Sequence, residues 1–342
     1  MRSLALWAPR SEGERVRRLL VEGRHLRNDL RIAAEGDRIV FPLVDRPEPP
    51  IPGTSMGEAD LRPVPGERRP TDYRALLRLP EPIADRLPRG FDVVGDLVLV
   101  RYPDELGPWS REIGEALRKF VPGTRRVGRD LGVHGPERIR RLEAISGEGS
   151  WSTVHRENGL SIEVALDRAY FSPRLAREHA RIAEAVRSGE RVLDLCCGVG
   201  PFTLGIARTR RAREIVAVDS NPAAIELLNA NLVRLGESVL VTAVRRPLEE
   251  FLPSAGTFDR IVFNLPREGA HHLSKVGTIA GSGGTLHFYE VVPRAIRPRH
   301  AGELLEQLTT LSGPWRLLDE HLVHPYSPAD DMVAYTFQRI GE

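Results

Sequence analysis

The chain is expected to be an α/β protein in which a doubly wound, mostly parallel seven-stranded sheet follows a small α+β module and an α+β middle domain. Three observations lead there. From about residue 170 onward, apolar strand-like runs alternate with helical ones, the pattern of a parallel sheet covered on both faces. The apolar run from Val192 ends in Gly198-Val199-Gly200 and leads into a helix from Phe202 to Arg208, a strand–turn–helix whose glycines let a ligand approach the backbone. The length of 342 residues exceeds the usual size of one hydrophobic core.

Residues 1–45 read as the small module. A strand at Leu4–Trp7 precedes a helix from Glu12 to Glu22, with Val16, Leu19 and Leu20 at helical spacing, and two strands follow at Leu30–Ala33 and Arg38–Leu43. Residues 46–72 carry Pro47, Pro49, Pro50, Pro52, Pro63, Pro65 and Pro70 with three glycines, the composition of an extended linker. Residues 73–169 read as the middle domain. They hold strands at Phe91–Val100 and Arg126–Gly128, a helix from Ser110 to Val121, and a hairpin turning at Glu157-Asn158-Gly159. In the final domain, 170–342, strands are expected at 191–196, 214–218, 239–244, 258–263, 285–291, 316–322 and 332–339. The last two lack a long helix between them, so an antiparallel closing pair is expected.

Composition narrows the class. Hydrophobic residues make up 41% and charged residues 28%, as in ordinary globular proteins. No apolar run approaches the ~18 residues of a membrane helix, and the chain reads as a cytoplasmic monomer. Net charge is only +2, yet of 49 basic residues only Lys119 and Lys275 are lysine. Arginine forks suit phosphates and stacked bases, so runs such as Arg138–Arg141 and Arg208–Arg213 suit RNA, although a solvated face explains any one of them. The two cysteines, Cys196 and Cys197, are adjacent and too few for a zinc site. No metal is expected.

The Gly-x-Gly loop is informative only with its neighbours. A second strand ends in Asp219, followed by Ser220 and Asn221, about twenty residues on, where an acidic side chain takes both hydroxyls of a ribose. Thr203 stands where a dinucleotide-binding loop wants its third glycine, which argues against a nicotinamide-dependent dehydrogenase. Asp194 lies four residues before Gly198, giving the Asp-x-x-x-Gly-x-Gly form usual for S-adenosylmethionine (SAM) methyltransferases, with the acidic residue expected near the cationic methionine moiety. Its other possible role is to cap the helix. The strand Phe258–Phe263 runs into Asn264-Leu265-Pro266, where an asparagine can bond a planar base edge. Tyr170-Phe171-Ser172-Pro173-Arg174-Leu175 begins a helix capped by Ser172, and Arg174 and Glu178, four apart, are expected to face the site together.

Together with Phe91–Asp96, His155–Gly159, Gly198-Val199-Gly200-Pro201-Phe202 and Tyr326-Ser327-Pro328, these motifs resemble the archaeal and eukaryotic tRNA (guanine-37-N1)-methyltransferase family, nearly end to end and in family order. The resemblance implies a class I, Rossmann-like methyltransferase domain and SAM-dependent methylation of N1 of the guanine beside the anticodon. It implies Glu178 as general base, Arg138 at the guanine O6 and Asn264 on the base edge. It places Arg174 at the cofactor carboxylate, Asp219 on its ribose and Tyr170 near the target nucleotide. The loop residues Gly198 to Phe202, with Phe171, Asp194, Ser220, Asn221 and Pro266, complete the cofactor site. The module 1–45 would grip the tRNA elbow, and the rest would meet the anticodon loop. Two departures stand out. His179 replaces the arginine that usually follows the glutamate, and the third strand ends in Arg245-Arg246 rather than in an acid. Enzymes of the wyosine pathway, transferring an aminocarboxypropyl group or methylating a wyosine intermediate on the same fold, and a tRNA-binding protein without catalysis, are the alternatives.

Overall fold

The computed structural model describes residues 1–63, 70–236 and 241–341, the side chain of Glu81 excepted, in two compact units, Met1–Thr71 and Asp72–Glu342. In the first unit, β1 (Arg2–Pro9), α1 (Gly13–Glu22), β2 (Ala33–Glu35), β3 (Arg38–Pro42) and β4 (Ser55–Asp60) form a four-stranded sheet in the order β2-β3-β1-β4. Period-two alternation puts Leu6 and Ala8 of β1 under α1 with Val16, Leu20 and Phe41, while Ala5 packs on the other face with Val40 and Ala59.

This corrects the expected division at residue 45. β4 pairs antiparallel with β1 from Arg2↔Asp60 to Trp7↔Ser55, so much of the supposed linker belongs to the sheet. It is an edge strand with only Ala59 buried; its sequence shows no apolar alternation because little of it meets the core. Residues 64–69 of that stretch lie outside the described residues. The strand expected at Leu30–Ala33 instead starts at Ala33, and Leu30 makes an isolated bridge to Pro63.

The second unit opens with a 3₁₀ turn, Tyr73–Leu76, followed by α2 (Glu81–Ala84). A four-stranded sheet follows, β5 (Asp92–Val94), β6 (Leu97–Val100), β7 (Arg126–His134) and β8 (Ile139–Gly147), in the order β5-β6-β7-β8, with α3 (Ser110–Phe120) crossing between the parallel pair β6 and β7. The single strand expected at 91–100 is thus a hairpin, turned at Gly95 with φ +56°. A Cβ on Gly95 would lie 2.7 Å from the Val154 carbonyl oxygen, so the turn needs glycine for both conformation and space. β9 (Ser152–Glu157) and β10 (Leu160–Ala165) form the expected hairpin, with Asn158 and Gly159 both left-handed.

The large sheet is built from β11 (Arg191–Leu195), β12 (Glu214–Asp219), β13 (Val241–Arg245), β14 (Phe258–Phe263), β15 (Ala280–Pro293), β16 (Trp315–Pro325) and β17 (Asp330–Arg339), in the order β13-β12-β11-β14-β15-β17-β16. The first five are parallel; β17 runs antiparallel between β15 and β16. The helices between them are α4 (Ala176–Ala185), which precedes β11, α5 (Pro201–Thr209), α6 (Pro222–Leu235), α7 (Leu248–Phe251), α8 (Leu273–Thr278) and α9 (Arg297–Ser312). Both sheet faces are apolar: Leu193, Phe263, Phe288 and Tyr335 pack on one side, Val192, Val262, Tyr289 and Met332 on the other. The part of the third expected strand at 239–240 lies outside the described residues. Among the described residues no helix is long and apolar enough to cross a membrane. Strand order reverses between β11 and β14, and ligands of open α/β sheets bind outside the carboxyl ends of the strands at such a point.

Candidate active site

A cavity of about 920 Å³ opens at that reversal, within the second unit. One wall is the ends of β11, β12 and β14: Leu195 to Gly198 with Pro201 and Phe202, Val218 to Asn221, and Asn264 to Pro266. The facing wall comes from the middle sheet and the segment after the hairpin: Asp130, Arg138, Arg140, Tyr170, Phe171 and Arg174. Arg246, Leu248 and Glu249 border it below β13, His324 and Tyr326 beside β17.

The glycine loop turns sharply because Cys196, Gly198 and Gly200 are all left-handed (φ +58°, +55° and +85°). The Gly198 N–H donates to Asp219 Oδ2 (2.8 Å), tying loop to second strand, and the Asn221 N–H donates to Oδ1 (2.9 Å). Burial raises the Asp219 carboxyl against these backbone donors. Gly200 is the N-cap of α5, and a Cβ there would meet Leu228 Cδ1 at 2.3 Å. Val199 is fully buried against Leu204 and, like Gly200, shapes the loop from behind rather than lining the cavity. Asn221 lines it, but its side chain is taken up locally: Oδ1 accepts from the Ala223 N–H (2.9 Å), capping α6, and Nδ2 donates to the Arg168 carbonyl (2.7 Å).

Asp194 departs from its expected place. It is fully buried and absent from the cavity wall. Its Oδ2 accepts from the Thr203 N–H (3.1 Å) and hydroxyl (2.6 Å), so it caps the first turn of α5, the alternative role rather than the expected one at the methionine moiety. The other oxygen, Oδ1, has no partner. Burial pushes the carboxyl up to about 7 although Thr203 pulls the other way.

On the facing wall, Arg138 sits in a left-handed turn and stacks over the Tyr170 ring at 5.3 Å; Arg140 stacks over the same ring at 5.4 Å. Arg140 is held in place by Asp130 and by the Phe171 carbonyl (3.1 Å); the Nε atoms of both arginines are buried without a partner. Asn264 likewise keeps a buried Oδ1 without a partner at the end of β14. Arg174 lines the cavity while donating to Asp92 (2.8 Å). Tyr326, with the Arg267 guanidinium 5.0 Å from its ring, is a cavity residue not assigned a role from the sequence. Its burial would raise the phenol, but Arg267, Arg138 and Arg101 hold it below the usual tyrosine value.

Glu178 and Arg174 do not face the site together. Arg174 belongs to a single 3₁₀ turn and Glu178 to α4, and the change of winding between them breaks the four-residue register. Glu178 is buried off the cavity wall. Its Oε2 accepts from the Tyr289 hydroxyl (2.9 Å) and Arg181 (2.7 Å), and Oε1 faces His321 Nε2 (2.9 Å). Burial would raise this carboxyl, but Arg181, His321 and Tyr289 hold it below its ordinary value. The residue that does reach the wall is its neighbour, His179. Burial pushes both cysteine thiols upward, which disfavours the nucleophilic thiolate. Among the described residues no cluster of His, Cys, Asp and Glu could hold a metal ion.

A doubly wound sheet with its glycine loop, an acid closing the next strand and two arginines stacked on a tyrosine in the facing wall define a nucleoside-binding enzyme of the Rossmann-like class. The comparisons narrow this to one family. Residues 153–312 match the TRM5/TYW2 methyltransferase domain, 73–150 the TYW2 N-terminal domain, and 8–51 the tRNA methyltransferase 5 N-terminal domain. The tRNA (guanine(37)-N(1))-methyltransferase Trm5b of Pyrococcus abyssi is 32% identical over 98% of this chain and 99% of its own. The solved complex of aTrm5 with tRNALeu superposes with a TM-score of 0.78 at 29% identity, covering 98% of this chain and 99% of that one. A tRNA(Phe) (4-demethylwyosine(37)-C(7)) aminocarboxypropyltransferase of Pyrococcus horikoshii is 28% identical over 73% of this chain and 89% of its own. The chain belongs to the TRM5/TYW2 methyltransferase family.

Proposed function

We propose that this protein transfers the methyl group of SAM to N1 of guanine 37 in tRNA. The observation that carries the reading is the pair of walls: a nucleoside-binding loop faces two arginines stacked on a tyrosine, with Asn264 at the end of β14 lining the same cavity. The residues present fit SAM: Asp219 for the ribose hydroxyls, the Gly198 turn for close approach, Arg246 and Leu248 bordering the third strand, and Arg174 for a carboxylate. When bound, SAM supplies an electrophilic methyl group.

The chain's own residues then handle the base. Guanine must leave its stack to enter such a cavity, and Tyr170 offers a ring to receive it. Asn264 presents both a donor and an acceptor to the base edge. Loss of the N1 proton drives negative charge toward O6, which the Arg138 guanidinium stabilises. Glu178, the base that the family resemblance implies, meets N1 only once Tyr289, Arg181 or His321 releases its carboxylate. The first unit is proposed to grip the tRNA elbow, reading shape.

The match of 73–150 to the TYW2 N-terminal domain gives a second reading, aminocarboxypropyl transfer from the same cofactor. The methyltransferase relative covers 98% of this chain and the aminocarboxypropyl relative 73%, which favours the first. The test is methyl-labelled SAM with unmodified tRNA transcripts carrying G37 or A37. Label in G37 transcripts alone is expected; equal labelling of both would overturn the site assignment.

A further inference from the structure

Tyr326 begins the turn between β16 and β17, and that turn is fixed. The Tyr326 and Ser327 N–H groups donate to the Asp330 carbonyl (3.0 and 3.1 Å), and the Ser327 hydroxyl donates to Asp330 Oδ2 (2.8 Å). The tyrosine ring lies almost parallel to that of His324 (19°, centroids 6.5 Å apart) and carries the Arg267 guanidinium 5.0 Å from its centre. Arg267 follows β14 on a turn held by the Val291 N–H, which donates to the Pro266 carbonyl (2.7 Å). Arg101, one residue beyond β6, and Arg138, in the turn between β7 and β8, line the same cavity. Burial raises the Tyr326 phenol, and Arg267, Arg138 and Arg101 together outweigh it. Separate segments of the second unit thus bring three guanidinium groups around one hydroxyl.

The charge at this end of the cavity is not balanced. Among the described residues neither Arg138 nor Arg267 pairs with a carboxylate. Arg101, at 3.2 Å, shares the single carboxylate of Asp130 with Arg140. The other acids of the wall are placed elsewhere: Glu137 bears on Asp219, Glu249 and Glu268 on Cys196, and Asp92 pairs with Arg174. Arg101 and Arg267 are also exposed, so they stand at the mouth and not in the depth of the cavity.

We propose that Arg101, Arg267 and the Tyr326 hydroxyl hold a backbone phosphodiester beside the flipped target nucleotide. This rests on the methyl-transfer reading above. A base that leaves its stack enters the cavity, while its charged backbone stays at the opening. Guanidinium forks bond phosphate oxygens in pairs, and the phenol O–H donates one more bond to a non-bridging oxygen. The fixed turn under Tyr326 sets where that phosphate rests, and so how far the base reaches toward Asn264 and Arg138. Arg101, Arg267 and Tyr326 bind substrate and take no part in the proton or methyl transfer.

Two measurements test this. In the first, binding of an unmodified G37 tRNA transcript is followed against salt concentration. Arg101→Gln and Arg267→Gln should each lower the slope of log affinity against log salt by about 0.7–0.9, one phosphate contact, with SAM affinity within about twofold of wild type. Tyr326→Phe keeps the ring and removes only the hydroxyl, so it should weaken tRNA binding about threefold to tenfold with the slope unchanged. In the second, a ligated tRNA carries one uncharged methylphosphonate at the linkage 5′ or 3′ of G37. One of the two linkages should weaken wild-type binding about tenfold and Arg267→Gln binding about twofold or less. Unchanged slopes in both arginine variants overturn the proposal, as do neutral linkages that affect wild type and Arg267→Gln equally, or full tRNA affinity in Tyr326→Phe. Weaker SAM binding in the arginine variants would also overturn it, giving these residues to the cofactor instead. If the wild-type protein labels G37 and A37 transcripts equally, the methyl-transfer reading falls, and the salt slopes still judge the phosphate site.

Discussion

Asp194→Asn tests the link between the glycine loop and the stability of the sheet. The wild-type carboxyl is fully buried and capped on one oxygen only, and its burial pushes it from 3.8 up to about 7. A carboxyl raised in the folded state stabilises the protein while protonated; that contribution is complete below about pH 4 and is lost as pH rises to 7. Three units at 1.36 kcal/mol each set the loss at about 4 kcal/mol, an upper figure because the unfolded chain retains some structure. Asparagine keeps an acceptor for Thr203 and carries no charge. The variant should therefore match the wild type near pH 4 and exceed it by about 2–4 kcal/mol at pH 8. Urea unfolding of the cofactor-free protein at both pH values measures this. A variant less stable than wild type at pH 8 would refute the reasoning, since Oδ1 would then have a partner worth more than its burial.

Three further outcomes follow from the same geometry. Gly200→Ala forces a side chain into a left-handed residue and against Leu228; it should lose about 1–3 kcal/mol in thermal unfolding and weaken SAM binding. Glu178→Gln should lose about 1–3 kcal/mol at pH 7, where Arg181 is left unmatched. Because the wild-type carboxyl is held low, its advantage should disappear as pH falls through the acid range below 4.5, and urea unfolding at pH 7 and 3 reads both limbs. Removal of residues 1–71, the whole first unit, should weaken tRNA binding while SAM affinity stays within twofold; unchanged tRNA affinity would sink its proposed docking role.

What was legible in the sequence is what local chemistry determines. Asn158-Gly159 announces its hairpin because both residues tolerate left-handed backbone, and Gly198 and Gly200 announce the loop for the same reason. The antiparallel closing pair was readable from the lack of a crossover helix. What escaped depends on distance. β4 hides because an edge strand buries one side chain, and the turn at Gly95 hides inside a continuous apolar run. Asp194 looks like a ligand-facing acid until Thr203, nine residues on, folds back to it. The pairing of Glu157 with His179 joins a strand end to a helix face 22 residues apart, and spacing carries no signal of such a contact. The sequence also placed Glu178 on the cavity side, where a change of helical winding two residues earlier puts His179 instead.

The most direct measurement incubates the protein with an unmodified G37 tRNA transcript and SAM carrying distinguishable labels in the methyl and carboxyl carbons, then identifies the modified nucleoside. Methyl label alone, in 1-methylguanosine at position 37, is the predicted result. Carboxyl label in the tRNA, or methyl label at any other position, would contradict the account.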